Sequence, residues 1–237
     1  MIIFQYTIKL LDPLFYSREG LSGAVTPSYL HATAINHAVA YANGEGGNQP
    51  YIMAETNGGR NIPRYKNSFI TRNFYFTPAR IKENPSYLPE IVKGESDGFI
   101  RKVSPGAEIL RASQLFLIPP ETEFKGYGYI KSGFSLTEII RFGSFRGKAK
   151  LIIAPAKFVG EAHKVLVDHP TDPLVCKTSR GVMINIFPYP IIENAVCDIC
   201  YKIRIDNARF NTIVALPVED IKEQHDEIMI EGDTLIV

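Results

Sequence analysis

The chain has 237 residues, 45% hydrophobic and 11% aromatic, enough to bury a sizeable core as one large domain. Its longest apolar runs, such as LIIAPA from Leu151, are too short to cross a bilayer, and MIIFQYTIKLL at the start reads into a strand rather than a secretory signal. The expectation is a cytoplasmic protein without membrane contact, and a formal charge of +1 that hides an asymmetry: seven acids face only Lys222 between Glu219 and Asp233, leaving 25 basic and 18 acidic side chains, a net of +7, in residues 1–218.

Ile2 to Leu10 alternates as a strand, with Tyr6, Ile8 and Leu10 on one side and Thr7 and Lys9 on the other. TPSYLHATAINHAVAYANG then carries helix signals: Thr26 as a cap, Pro27 in the first turn, and Asn43 or Gly44 as the stop. Leu30, Ala34, His37 and Tyr41 form a stripe at helical spacing, which makes His37 a core-edge residue. From Gly44 to Pro105 proline and glycine are frequent, so an extended, hairpin-like arm is expected at roughly 45–105, with KNSFITRNFYF as its strand-prone part. ILRASQLFLIPP and KAKLIIAPAK read as strands. Between them SLTEIIRFG opens with Ser135 and Glu138 in a capping-box spacing and predicts a short helix ending near Gly143. GVMINIF, YKIRI and NTIVALPV are further strand candidates. The expected class is α+β: a ferredoxin-like, RRM-like core with an inserted β-hairpin arm and additional short strands, in a single domain over residues 1–237.

Two basic segments stand out. Between Arg60 and Lys82 lie Arg60, Arg64, Lys66, Arg72, Arg80 and Lys82 without an acid, a footprint suited to a phosphate backbone. RFGSFRGKAK holds Arg141, Arg146, Lys148 and Lys150 in ten residues, and its glycines let backbone approach a phosphate while the arginines supply forked donors. KGYGYIKS, from Lys125, partly imitates an aromatic RNA-stacking strand and makes Tyr127 and Tyr129 candidates for base stacking, against the alternative of a glycine-rich hairpin. Cys197 and Cys200 in CDIC lack the companions of a zinc or redox site and read as ordinary thiols near a strand. No Walker or dinucleotide loop is present, and no pair of histidines has zinc-hydrolase spacing, so neither a cofactor nor a metal is expected. Tyr29 and His31 are the candidate acid-base pair should the chain cleave RNA without metal.

LFYSREGLSG, PSYLHATAINHAVAYANG, YKNSFITRNFYFTPAR and IIRFGSFRGKAKLII, in this order, resemble the Cas-five-type subunit of type I-D CRISPR effector complexes, in the repeat-associated RNA-binding superfamily. The resemblance implies a non-catalytic subunit that binds the 5' repeat-derived tag of the guide RNA and caps the backbone filament. It also implies contact with the adjacent Cas-seven-type backbone subunit, the large subunit and target double-stranded DNA near its flanking motif. On the residue-level reading, Arg18, Arg141, Arg146, Lys148 and Lys150 are the candidates for the RNA, and Arg60, Arg64, Lys66, Arg72 and Arg80 for the arm's contact with RNA, DNA or a partner. A metal-independent endoribonuclease processing precursor guide RNA and a protein-only assembly scaffold are the two alternatives.

Overall fold

A computed structural model describes residues 1–16, 24–44, 54–57, 60–63, 73–93, 112–206 and 208–217. In chain order the elements are β1 (Ile2–Leu10), β2 (Ala24–Val25), β3 (Tyr29–Leu30), α1 (Ala32–Ala42), β4 (Ala54–Asn57) and β5 (Arg60–Pro63). There follow β6 (Phe74–Phe76), β7 (Ala79–Ile81), β8 (Leu88–Lys93), β9 (Ala112–Leu117) and β10 (Glu123–Ile130). The last are β11 (Ile139–Phe142), β12 (Gly147–Leu166), β13 (Thr178–Ile184), β14 (Ile191–Ile205) and β15 (Thr212–Val214).

The main sheet has ten strands in the order β13-β14-β12-β1-β10-β7-β3, with β11 and β15 against β12 and β14 and β6 against β10. A three-stranded sheet, β2-β9-β8, and the hairpin pair β4-β5 complete the strands described. The chain is therefore mostly β, a curled antiparallel half-barrel, and the expected α+β ferredoxin-like core is corrected. The second helix such a core needs is absent among the described residues, because Ile139–Phe142 pairs with β12 as an edge strand. Its burial alternates, with Ile140 and Phe142 inward and Ile139 and Arg141 outward, and that period of two overrides the capping-box spacing at Ser135.

β1 is the centre of the sheet, flanked by β10 and β12. Its alternation is as expected: Phe4, Tyr6, Ile8 and Leu10 are buried and pack with Ile35, Val39 and Phe124 beneath α1. The helix starts later than the sequence suggested. Thr26 instead uses its hydroxyl to tie Leu14 and Phe116, Tyr29–Leu30 pairs with β7, and His31 is the cap, its Nδ1 accepting the Thr33 N–H at 3.1 Å. The buried face is Ala32, Ile35, Asn36, Val39 and Ala40, so the Ala34–Tyr41 stripe is corrected: both of those residues are exposed. Asn36 has a defined task. Its amide donates to the Phe76 carbonyl at 2.9 Å and accepts from the Phe76 N–H at 2.9 Å, so the helix satisfies backbone groups of β6 that have no strand beside them.

The half of β12 and β14 beyond β1 bends over the sheet's other face and closes a second core of Ile3, Tyr75, Tyr129, Ala156, Tyr201, Ile203, Val214 and Leu216. Part of the span assigned to an arm therefore belongs to the body: Phe74, Tyr75 and Phe76 are almost wholly buried. Gly128 allows this packing, since a Cβ there would lie 2.3 Å from the Tyr75 carbonyl oxygen.

Candidate nucleic-acid interface

The curl covers only part of the sheet's second face, and what it leaves open is basic. Register fixes which side chains share that face, because directly paired residues point the same way. Lys9 lies opposite Lys150 on β12 and Glu123 on β10; Thr7 lies opposite Ile152 and Lys125. One strand further out on either side, Lys125 faces Arg80, and Lys148 faces Arg141. Three cation pairs, Lys9–Lys150, Lys125–Arg80 and Lys148–Arg141, thus stand directly opposite one another, an arrangement that is unfavourable by itself.

Acids at the border relieve only some of this repulsion. Lys9 pairs with Glu121, Lys150 Nζ is 3.7 Å from Glu138, and Lys82 Nζ is 3.2 Å from Glu123. Arg80 is engaged differently, bonding Glu193 of β14 at 2.9 Å, so this arm candidate ties the curled hairpin to β7. For Lys125, Arg141 and Lys148 the described residues supply no ion-pair partner, and the Arg141 guanidinium donates only to the Arg146 carbonyl at 3.2 Å. Arg141 and Arg146 flank a hairpin turn rather than a helix end. Gly143 has φ +77° and Arg146 φ +52°, the Gly143 carbonyl accepts the Arg146 N–H, and a Cβ on Gly143 would meet Leu14 at 2.7 Å.

Arg141, Arg146, Lys148 and Lys150 are therefore brought together and exposed. Arg18, Arg64, Lys66 and Arg72 lie outside the described residues, and Arg60 begins β5. The stacking candidates take a different place. Tyr129 is fully buried and Tyr127 nearly so, with the Tyr127 hydroxyl accepting from Gln5 at 3.1 Å, so KGYGYIKS presents Lys125 rather than aromatic faces. Lys9 and Lys125 were missed as site residues. The alternation of β1 had already put Thr7 and Lys9 on its polar side, but only the pairing of β1 with β10 and β12 places them beside Lys125 and Lys150.

Tyr29 and His31 do not form an accessible acid-base pair. His31 is 1% exposed, its Nδ1 is used by the cap and its ring sits edge-on to Tyr189 at 4.3 Å. Burial holds its pKa down at about 4, and burial raises that of Tyr29. Beside His31, the Tyr189 hydroxyl lies 3.3 Å from that of Thr33 and donates to buried Asp172 at 2.9 Å, whose carboxyl is pushed up by desolvation. This chain of bonds joins α1 to the curled lobe and faces inward. Cys197 and Cys200 are buried, the Cys200 thiol pointing at the carbonyls of Cys197 and Val165. Among the described residues no group of His, Cys, Asp and Glu could hold a metal ion, and no helix is long and apolar enough to cross a membrane.

His31, His37 and His169 share one consequence of burial, a pKa lowered to about 4. Between about pH 4 and 6.5 the unfolded chain binds protons at these positions that the folded chain does not, so stability rises with pH through this window and is lost on acidification. Unfolding at pH 5.5 should take up about 2–3 protons at these three imidazoles, offset by at most about one released from the raised Asp172 carboxyl, the net being read from the pH dependence of the unfolding free energy. An uptake below about one proton would show that the three imidazoles titrate normally in the fold.

The model of the type I-D CRISPR-associated protein Cas5/Csc1 family matches residues 1–220. No curated protein matches the chain closely. The match takes in β1, α1, the curled sheet and every described residue of the basic face, and the chain belongs to the type I-D CRISPR-associated Cas5/Csc1 family.

Proposed function

We propose that this protein is the non-catalytic guide-RNA-binding subunit of a type I-D CRISPR surveillance complex, and that the open face of the sheet is where it holds RNA backbone. The observation that carries this reading is the set of three directly opposed cation pairs. Like charges set face to face are a cost to the isolated fold, and a polyanion threading between them turns the cost into attraction. Lys125, Lys148 and Lys150 contribute charge, while Arg141 can bridge two phosphate oxygens with its fork. Arg146, at the turn, extends the same surface. Family membership directs the choice of polyanion to the 5' repeat-derived tag, with the chain capping the filament of Cas-seven-type subunits, touching the large subunit and helping to position target double-stranded DNA. The buried, cap-engaged His31 favours binding over cleavage. The site of action is the cytoplasm.

The test is to purify the assembled complex from its native host and sequence the RNA that stays with it. A uniform 5' tag that cross-links to this chain is the expected result. A complex free of nucleic acid would favour the scaffold reading, and discrete cleavage of precursor RNA by the purified chain would favour the endoribonuclease.

A further inference from the structure

The basic face has a second anionic candidate within the same chain. Residues 219–233 hold seven acids against Lys222, and the family match ends at residue 220, so most of these acids lie beyond it. The place from which this segment departs is defined. Val214 and Leu216 are fully buried in the cluster that holds Ile3, Tyr127 and Ala156. The Ala215 N–H donates to His169 Nε2 at 3.0 Å, and the His169 ring lies 5.3 Å from that of Tyr127. Tyr127 is directly opposite Gln5, and one step along the same face come Thr7 and Lys125. The chain therefore leaves the core at the border between the covered and the open halves of the sheet. From there Lys150 and Lys148 are roughly 10 to 20 Å away, two strand spacings across and a few residues along, whereas residues 219–233 can span up to about 50 Å when extended.

We infer that the acidic segment 219–233 docks on the open basic face formed by Lys9, Lys125, Arg141, Lys148 and Lys150, and occupies it until guide RNA displaces it. The inference rests on the assignment of that face to RNA. Three features make the segment a fitting occupant. Its charge is opposite to that of the face, and tethering next to the face holds it at an effective concentration on the order of millimolar. Its charge density is below that of a nucleic acid, which carries one phosphate per nucleotide, so a specific RNA can compete. The device would raise discrimination: weakly held, unrelated RNA must compete with the tail, and a guide with additional contacts succeeds. Such competition is a property of ion pairs in water, so it fades as salt rises.

Two measurements on the full chain test it, one without RNA. In the first, carbodiimide joins carboxylates to lysine amines in the RNA-free protein, and the cross-linked peptides are read by mass spectrometry. Links from residues 219–233 to Lys125, Lys148 or Lys150 are expected, and they should disappear when a single-stranded RNA of 30 nucleotides is added. Links confined to other lysines would overturn the docking site. In the second, the seven tail acids are replaced by their amides, and the affinity for an unrelated RNA of the same length is compared with that of the parent. A gain of about tenfold at low salt is expected, shrinking as salt is added. It should vanish when Lys125→Ala, Arg141→Ala, Lys148→Ala and Lys150→Ala are also present. No gain would overturn the proposal, as would a gain that survives loss of the face. The two readings fail separately. Tail cross-links at the face, with RNA binding indifferent to the four alanines, would sink the assignment of the face to RNA while leaving the tail where it is proposed.

Discussion

Replacing Lys125, Arg141, Lys148 and Lys150 together with alanine should weaken guide-RNA binding on the order of 10²-fold at physiological salt and leave the protein folded. Each cation that neutralises one phosphate of a single strand contributes about 0.7 to the slope of log affinity against log salt, so losing four should flatten that slope by about 3. The same variant removes one member of each opposed pair, Lys9–Lys150 and Lys125–Arg80, and both members of Lys148–Arg141. Thermal stability should therefore be unchanged or slightly higher, since like charges directly across a strand pair are destabilising. If these side chains served the fold instead, the variant would melt earlier and its salt slope would match the parent's. That pair of results would remove the open face as the RNA site.

Phe76→Ala should cost about 3–5 kcal/mol of unfolding free energy, the range for deleting a fully buried aromatic ring. Phe76 is completely inaccessible, and its ring lies 5.3 Å from Phe4, 5.1 Å from Tyr6 and 5.9 Å from Phe74. Its backbone is held on both sides, by Gly128 of β10 and by the Asn36 amide, so little of the void can be closed by movement of the strand. Phe76→Leu keeps most of the apolar volume and should cost less than half as much. Denaturant unfolding of the three proteins decides the matter: a loss below about 1.5 kcal/mol for the alanine variant would mean that the site collapses freely. RNA binding by the fraction that remains folded should equal the parent's, because Phe76 points to the helix side of the sheet and not to its basic face. This contrast with the four-cation variant separates folding from binding.

Local pattern was enough for the strand at Ile2–Leu10, the two sides of that strand, the helix stop at Asn43 and the cluster of exposed cations in RFGSFRGKAK. These are local matters. Alternation, capping chemistry and charge density act over a few residues, and each is written in adjacent positions. The sequence also carried the family, through four segments spread over the first two thirds of the chain, within the match to residues 1–220. The fold class was decided elsewhere. SLTEIIRFG has a helix-like opening, yet it lies along β12 because Ile140 and Phe142 gain burial there that a helix of this length would not provide. The curl likewise depends on the lengths of β12 and β14 and on their register, which no local pattern specifies. Tyr127 and Tyr129 illustrate the cost of reading aromatics alone. Their alternation with glycine is the same whether the rings face a nucleotide or a core, and it is the bent half of the sheet above them that turns them inward. For the same reason the site was only half legible. Arg141, Lys148 and Lys150 are close in sequence, whereas Lys9 and Lys125 are more than a hundred residues apart and become neighbours on one face only through antiparallel pairing across β1.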